Sequence, residues 1–403
     1  ELEGVPMGKA SHPVDERIQL VRGEFYADDP HPLFTWMRAH APVYWDEQGE
    51  VWGVTLYEDI MRISRDGQTF SNRYGMRPDS PPMPSMINLD DPEHKRRRSL
   101  VNKGFTAGRV RAQEDKIRRW CAHLLDRAQE KGRFDFVREV AMPLPMMVIG
   151  DMLGVAEEDH ERLLRWSDEL ILGSTMTAPP ECIAAAQRAF EEYSEYHHRV
   201  AEDRRRSPRE DLISVLVHAE IDGDRVSEDE LLHETLLILV GGDETTRHVI
   251  RGGMYELLRN PEQWALLQRE PARIPVAVEE MLRWVSPIQN MARTATRDVE
   301  LRGQHIAAGD RLLLLYPSGN RDEAVFTDPF RFDVTRQPNE HVAFGGYGTH
   351  FCLGANLARL ELRLLFEELA RRKPQLELLG DGSPPRRPSN FIVGFESLPV
   401  IWH

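Results

Sequence analysis

Several things are scarce in this sequence, and each scarcity removes a class of protein. Its 403 residues hold no unbroken run of about 18 apolar side chains, so no segment reads as a membrane span. Residues 1–22 carry proline, lysine and several acids but no apolar stretch, so no secretory signal is expected. Only three cysteines occur, Cys121, Cys182 and Cys352, too few and too odd in number for a disulfide framework. A reducing, cytoplasmic setting is the expectation. Cys121 lies inside an apolar-periodic run and Cys182 opens another, and both read as small buried hydrophobes. Positive charge is in deficit: the net charge of −15 argues against general nucleic-acid binding, which needs a basic surface. There is no low-complexity linker, internal repeat or break in composition. Residues 1–403 are therefore expected to form one large domain, although length alone would allow two or three.

What is present is mostly helix period. Apolar residues recur three and four apart over 110–131, 181–206, 227–258, 274–284 and 353–372. The last is the clearest: Leu353, Leu357, Leu360, Leu364 and Leu369 form one stripe, and Pro374 stops it. Short strand-like runs sit at 51–55, 299–301, 311–316 and 398–402. The fold class expected is mainly α with a small β-rich lobe.

The most informative stretch is Phe344-Gly-Gly-Tyr-Gly-Thr-His-Phe-Cys352-Leu-Gly354, which runs directly into the leucine-striped helix. Glycines let a backbone approach a flat ligand and adopt positive φ. A cysteine at the mouth of a helix meets free N–H donors and the positive end of the dipole, an environment that favours the metal-binding thiolate. A buried cysteine after a glycine turn is the plainer reading. A zinc site built on His350 and Cys352 lacks the further paired ligands that zinc spacings show.

Three other stretches stand out. Gly241-Gly-Asp-Glu-Thr-Thr246 places two glycines and two threonines in the middle of the long apolar helix, where helix propensity disfavours them. Threonine hydroxyls there can bond to the carbonyl four residues back and bend the helix. A tolerated irregularity at a packing contact would account for it equally. Glu280 and Arg283 stand three apart on one helix face, as many solvated ion pairs do. In Asp91-Pro-Glu-His-Lys-Arg-Arg-Arg98, Pro92 suits a helix start and His94 and Arg98 lie one turn apart. Lys95, Arg96 and Arg97 point elsewhere and read as a solvated basic face.

Taken in order, these stretches resemble the cytochrome P450 family, whose cysteine loop reads Phe-x-x-Gly-x-His/Arg-x-Cys-x-Gly. Gly348, His350, Cys352 and Gly354 match, whereas Phe344 stands one residue farther from the cysteine than usual. The resemblance covers essentially the whole chain. It implies a haem (haem b) held between the long oxygen-binding helix and the cysteine-loop helix, with Cys352 as the iron ligand. A thiolate ligand pushes electron density onto haem iron and favours O–O cleavage. It further implies Glu244 and Thr245 as the acid–alcohol pair that delivers protons. His94, Arg98, Arg293 and His350 become partners of the haem propionates, with paired arginine N–H donors suited to carboxylates. Glu280 and Arg283 become a buried structural pair joined by Arg331 of the later meander.

The same resemblance implies electrons from separate proteins, a ferredoxin and its reductase, because no flavin domain follows the cysteine helix. A positive patch made by Lys95 to Arg98 with Lys103, Arg109 and Arg359 would steer an acidic ferredoxin. The expected substrate wall is apolar: Met76, Met83, Met86, Ile87, Leu237, Val240, Gly241, Ile288, Met291, Phe391 and Val393. Such a cavity suits a lipid-like molecule. Stretches such as Pro143-Leu-Pro-Met-Met-Val-Ile-Gly-Asp151 and Ser389-Asn-Phe-Ile-Val-Gly-Phe-Glu-Ser397 are similar to the actinobacterial branch that oxidises the terminal side-chain methyl of cholesterol and cholestenone. Branched fatty acids, terpenoids and polyketides are the other substrate classes. A peroxide-using haem enzyme and a non-catalytic haem sensor or carrier are the other functions weighed.

Overall fold

The computed structural model of the chain describes residues 11–174, 178–221, 223–380 and 384–403. The first ten of residues 1–22, where no signal is expected, lie outside the described residues. The strands that matter here are β1 (Val43–Asp46), β2 (Val51–Val54), β3 (Phe70–Ser71), β4 (Arg133–Asp135), β5 (Asn290–Ala295), β6 (Val299–Leu301), β7 (Gln304–Ile306), β8 (Arg311–Leu315), β9 (Leu376–Leu378) and β10 (Pro399–Trp402). The helices are α1 (Tyr57–Arg65), α2 (Glu93–Val101), α3 (Glu114–Lys131), α4 (Pro143–Leu153), α5 (His160–Leu172), α6 (Pro180–Arg206), α7 (Glu228–Arg259), α8 (Ile274–Val285) and α9 (Ala355–Arg372).

Helix α7 is the axis of the fold. Ser227 caps it: its hydroxyl accepts the Glu230 N–H at 3.2 Å while Glu230 Oε2 accepts the Ser227 N–H at 2.8 Å. Glu228, Asp229 and Glu230 place negative charge at the positive end of the dipole. Its 32 residues span about 48 Å and pack against α4, α5, α8 and α9. A side chain at Gly242 would meet the Ile149 side chain of α4 at 2.4 Å, so glycine here lets the two helices pack closely without moving that side chain. Helix α9 buries Leu357, Leu360, Leu364 and Leu369 against α3 and α8, as the stripe requires. Each such leucine contributes about 1.5–3 kcal/mol.

The β-rich lobe is a five-stranded sheet in the order β1-β2-β8-β5-β3, parallel only between β2 and β8. On β5, Met291 and Arg293 fall two residues apart and so share a face. A three-stranded sheet, β9-β10-β4, and the β6–β7 hairpin complete the strands used here.

Two expectations change. The single helix expected over 110–131 is a short helix, Ala107–Ala112, followed by α3. Gln113 joins them with its N–H on the Val110 carbonyl at 3.1 Å, a tight turn that keeps the apolar stripe in phase and so hides the join from periodicity. Cys121 is fully buried, but Cys182 is only half-buried near the start of α6. No helix among the described residues is long and apolar enough to cross a membrane.

Candidate active site

Along α7 most side chains are buried, yet His233, Leu237, Val240, Gly241 and Thr245 keep accessible surface. They recur about four residues apart, so one stripe of a central helix opens onto space inside the molecule. At Gly241 an added side chain would meet nothing within 4 Å. The Thr245 hydroxyl donates to the Gly241 carbonyl at 2.9 Å, the i−4 bond that its position predicts.

Cys352 stands just before α9. The residue keeps exposed surface, although neighbouring groups crowd it closely enough to desolvate its thiol. Burial pushes its thiol up from the ordinary value, while the Gly354 N–H, Arg98, Arg359 and the Ala355 N–H pull it down. The helix mouth alone therefore does not outweigh the burial of the thiol. The extra loop residue is absorbed by positive φ at Gly345 and Tyr347. The Cys352 N–H still donates to the Phe344 carbonyl at 3.0 Å, and Tyr347 stacks on Phe351 at 5.0 Å. At Gly348 a Cβ would fall 1.8 Å from the Ser64 carbonyl, which pins the loop on α1.

The four residues expected around haem carboxylates come together. The His94 and His350 rings lie against each other, tilted by 30° with centroids 4.0 Å apart. Arg98 donates to the Phe351 carbonyl at 2.5 Å, and Arg293 to the Ala292 carbonyl at 2.8 Å. Burial pushes His350 down to about 2, with Arg293, His94 and Arg98 adding to the effect, so the ring is neutral. Among the described residues neither arginine has a carboxylate in salt-bridge contact, and buried His94 Nε2 has no hydrogen-bond partner.

Glu244 is buried and turned away from Thr245's bond. It accepts from Arg247, from Arg387 at 2.9 Å and from His248 Nε2 at 2.8 Å. A carboxylate can only accept, so His248 Nε2 is the donor in that contact, and Arg251 lies against both nitrogens of the same ring.

The substrate-facing segments are tied together. The Met76 carbonyl accepts the Ala292 N–H at 2.7 Å, the Phe391 carbonyl accepts the Gln289 N–H at 2.8 Å, and Ile288 bridges Ile392. Met76, Met83, Ile87, Ile288 and Met291 stay incompletely buried, while Met86 and Phe391 are nearly covered. Val393 is nearly covered as well: its N–H donates to the Pro287 carbonyl at 3.2 Å, beside Ile288, and it belongs to the apolar cluster that holds Leu20, Tyr26 and Leu313. Ser389 Oγ accepts the Phe391 and Ile392 N–H groups, which shapes the turn that carries this segment.

Two further corrections concern arginines. Glu280 and Arg283 form the expected buried pair, with two contacts of 2.8 Å. The third member is Arg336, whose Nε reaches Glu280 Oε2 at 3.1 Å; the Arg331 side chain is exposed. Arg331 offers only its carbonyl, because the turn at Asp328 swings its side chain outward and the chain returns under α8 five residues later. Asn339 and the Asp333 N–H fill the remaining sites on Glu280. Nor are Arg96 and Arg97 a solvated face: both bind Glu230 of α7. Of the expected positive patch, Arg359 is paired with Glu279, and the Lys103 ammonium donates to the Glu220 carbonyl. Sequence reasoning missed Glu279. Burial pushes it up, but His341 and Arg359 outweigh that and hold it near 2, anchoring both the loop start and α9 to α8.

The family model for cytochrome P450 matches residues 44–394. The chain belongs to the cytochrome P450 family. It is 49% identical to a steroid C26-monooxygenase of Mycobacterium tuberculosis over 96% of this chain and 97% of that protein. It is 39% identical to a methyl-branched lipid omega-hydroxylase of Mycobacterium bovis over 92% of this chain and 88% of that protein. Among solved structures it is similar to CYP109E1 from Bacillus megaterium in complex with testosterone, with a TM-score of 0.85 and 35% identity over 93% of this chain and 99% of that one. It is thus a P450 monooxygenase, and the family implies a haem, redox partners, dioxygen and a lipophilic substrate. The residues present fit that group: a lone thiol beside helix N–H donors for the iron, and arginines with an unpartnered histidine nitrogen for two carboxylates.

Proposed function

We propose that this cytochrome P450 hydroxylates the terminal side-chain carbon of a sterol such as cholesterol or cholest-4-en-3-one. The electrons come from a ferredoxin and a ferredoxin reductase, the haem is haem b, the setting is the cytoplasm, and the chain acts as one domain. The observation that carries the substrate class is the set of apolar segments tied to one another, together with the uncovered stripe of α7. With few polar groups on that wall, an elongated hydrocarbon is bound mainly by burial. The names of the 49%-identical and 39%-identical relatives support a terminal carbon as the target, and the second keeps a methyl-branched lipid as the other reading.

In this reading Cys352 ligates the iron, and Arg98, Arg293, His94 and His350 hold the carboxylates. A haem held there supplies dioxygen activation and transfer of one oxygen atom to a C–H bond. Thr245 presents a hydroxyl on the open stripe and holds a proton there. Glu244 replenishes it, which requires its carboxylate to leave Arg247, Arg387 and His248. The intact acid–alcohol pair favours an enzyme driven by reductant over one driven by peroxide.

The test is an optical titration of the haem-loaded ferric protein with cholest-4-en-3-one, a methyl-branched fatty acid and a terpenoid, followed by product analysis with a reductase and ferredoxin. A shift to high spin at low sterol and a terminal alcohol as product support the reading. A spectrum indifferent to sterol but shifted by the branched acid replaces the substrate and keeps the chemistry.

A further inference from the structure

Met76, Met83, Met86 and Ile87 belong to one loop, and that loop has bonds of its own. The Met76 N–H donates to Asn88 Oδ1 at 2.9 Å, and Asn88 Nδ2 donates to the Met83 carbonyl at 3.1 Å. Those contacts shape the loop without fixing it on α7. Glu234 supplies the link. It is fully buried one turn before Leu237, and its Oε1 accepts the Met86 N–H at 2.7 Å. The same oxygen accepts from Arg97 Nη1 at 3.2 Å, and Arg97 Nη1 also donates to the Pro84 carbonyl at 3.1 Å. Arg97 Nη2 reaches Glu230, one turn earlier on α7, at 2.5 Å. The loop backbone, α2 and two turns of α7 therefore meet at one carboxylate.

A buried glutamate in the middle of a helix is costly, and packing alone would be met better by leucine, as at Leu231, Leu236 and Leu239 on the same helix. Its Oε2 has no hydrogen-bond partner, so the carboxylate is only half satisfied, a poor arrangement for pure stability. The geometry points to Glu234 as a positioning residue for substrate: it latches the loop of residues 76–88 onto α7, a role that rests on reading this loop as the substrate wall. With the latch made, the methionines are held against the open stripe. With it broken, residues 83–88 loosen from α7 while Arg311 and the Ala292 N–H still hold residues 76–78, and bound substrate escapes sooner.

The test uses the haem-loaded full chain. Glu234→Gln keeps an oxygen for the Met86 N–H but loses the charge facing Arg97; Arg97→Gln removes the same pair from the other side. Losing a hydrogen bond to a charged group corresponds to roughly a tenfold change. In ligand-free protein at about pH 8, where Glu234 is ionised, amide exchange at residues 83–88 should quicken by about that factor in either variant, and the double variant should add little. The Kd for cholest-4-en-3-one and KM should rise by about tenfold, kcat at saturation should move less than about twofold, and Glu234→Asp should recover part of the affinity. Unchanged exchange in both single variants overturns the latch, as does equal damage to kcat and KM. If the wild-type protein ignores the sterol, the substrate reading fails separately, and exchange at the Met86 amide still decides the latch.

Discussion

Thr245 shows how little one residue must do. Its hydroxyl already has a partner, the Gly241 carbonyl, on a helix that runs unbroken through it, and the residue keeps accessible surface. Thr245→Ala removes the proton-holding group without emptying a packed site. Oxygen consumption should continue while product per oxygen falls by about tenfold to a hundredfold and free peroxide appears, measured with an oxygen electrode and a peroxide assay. Glu234 gives a second residue-scale prediction. Burial raises its carboxyl from 4.5 to about 7, against the Met86 N–H and Arg97, with Glu230 adding to the rise. Between those values the folded chain holds more of this proton than the unfolded chain does. Its contribution to stability is thus fully present below pH 4.5 and is lost as pH rises through 7, on the order of 3 kcal/mol in all. Glu234→Gln has no such proton to lose. Its urea midpoint should gain on the wild type between about pH 5 and pH 8, so weaker binding would coincide with no loss of stability. His94, Arg98, His350 and Cys352 were legible as candidates because each sits in a spaced motif, whereas Arg293 came only with the family resemblance. Glu234 was not legible, since one acid in an apolar helix has no spacing to betray it.

At the scale of elements, α8 is the anchor of the cysteine loop, and its charges decide where the meander lies. Arg336→Gln leaves Glu280 short of a cation in a buried place and should cost about 1–3 kcal/mol, with reduced haem occupancy read from absorbance. Arg331→Gln, by contrast, alters an exposed side chain whose carbonyl does the binding, and its midpoint should stay within about 0.5 kcal/mol. Periodicity found α6, α7, α8 and α9 almost to their ends, because a stripe of leucines has no other stable use. It could not choose between Arg331 and Arg336, because the turn at Asp328 follows no period.

Across the whole molecule, positive charge is scarcer on the surface than a count of arginines suggests. Arg96, Arg97 and Arg359 are engaged with acids, and Arg98 is turned to the Phe351 carbonyl. Lys95 and Arg109 remain exposed. Replacing both with glutamine should slow ferredoxin-supported reduction by roughly twofold to fivefold at low salt and flatten its dependence on ionic strength. A rate and salt slope equal to wild type would remove steering by these two charges. Such pairings between distant parts of the chain, like Arg387 with Glu244, have no local signature in sequence.

Gly241 separates two properties that mutation usually couples. The open space beside it lies on the interior stripe, so Gly241→Ala displaces no neighbour and should raise helix stability by about 0.5–1 kcal/mol. The added methyl instead subtracts from the room left for a guest. Bulky ligands should lose affinity before slender ones in the same spectral titration, while the thermal midpoint holds or climbs. A graded series of small side chains at this position would act as a volume dial for selectivity, adjustable without renegotiating the fold.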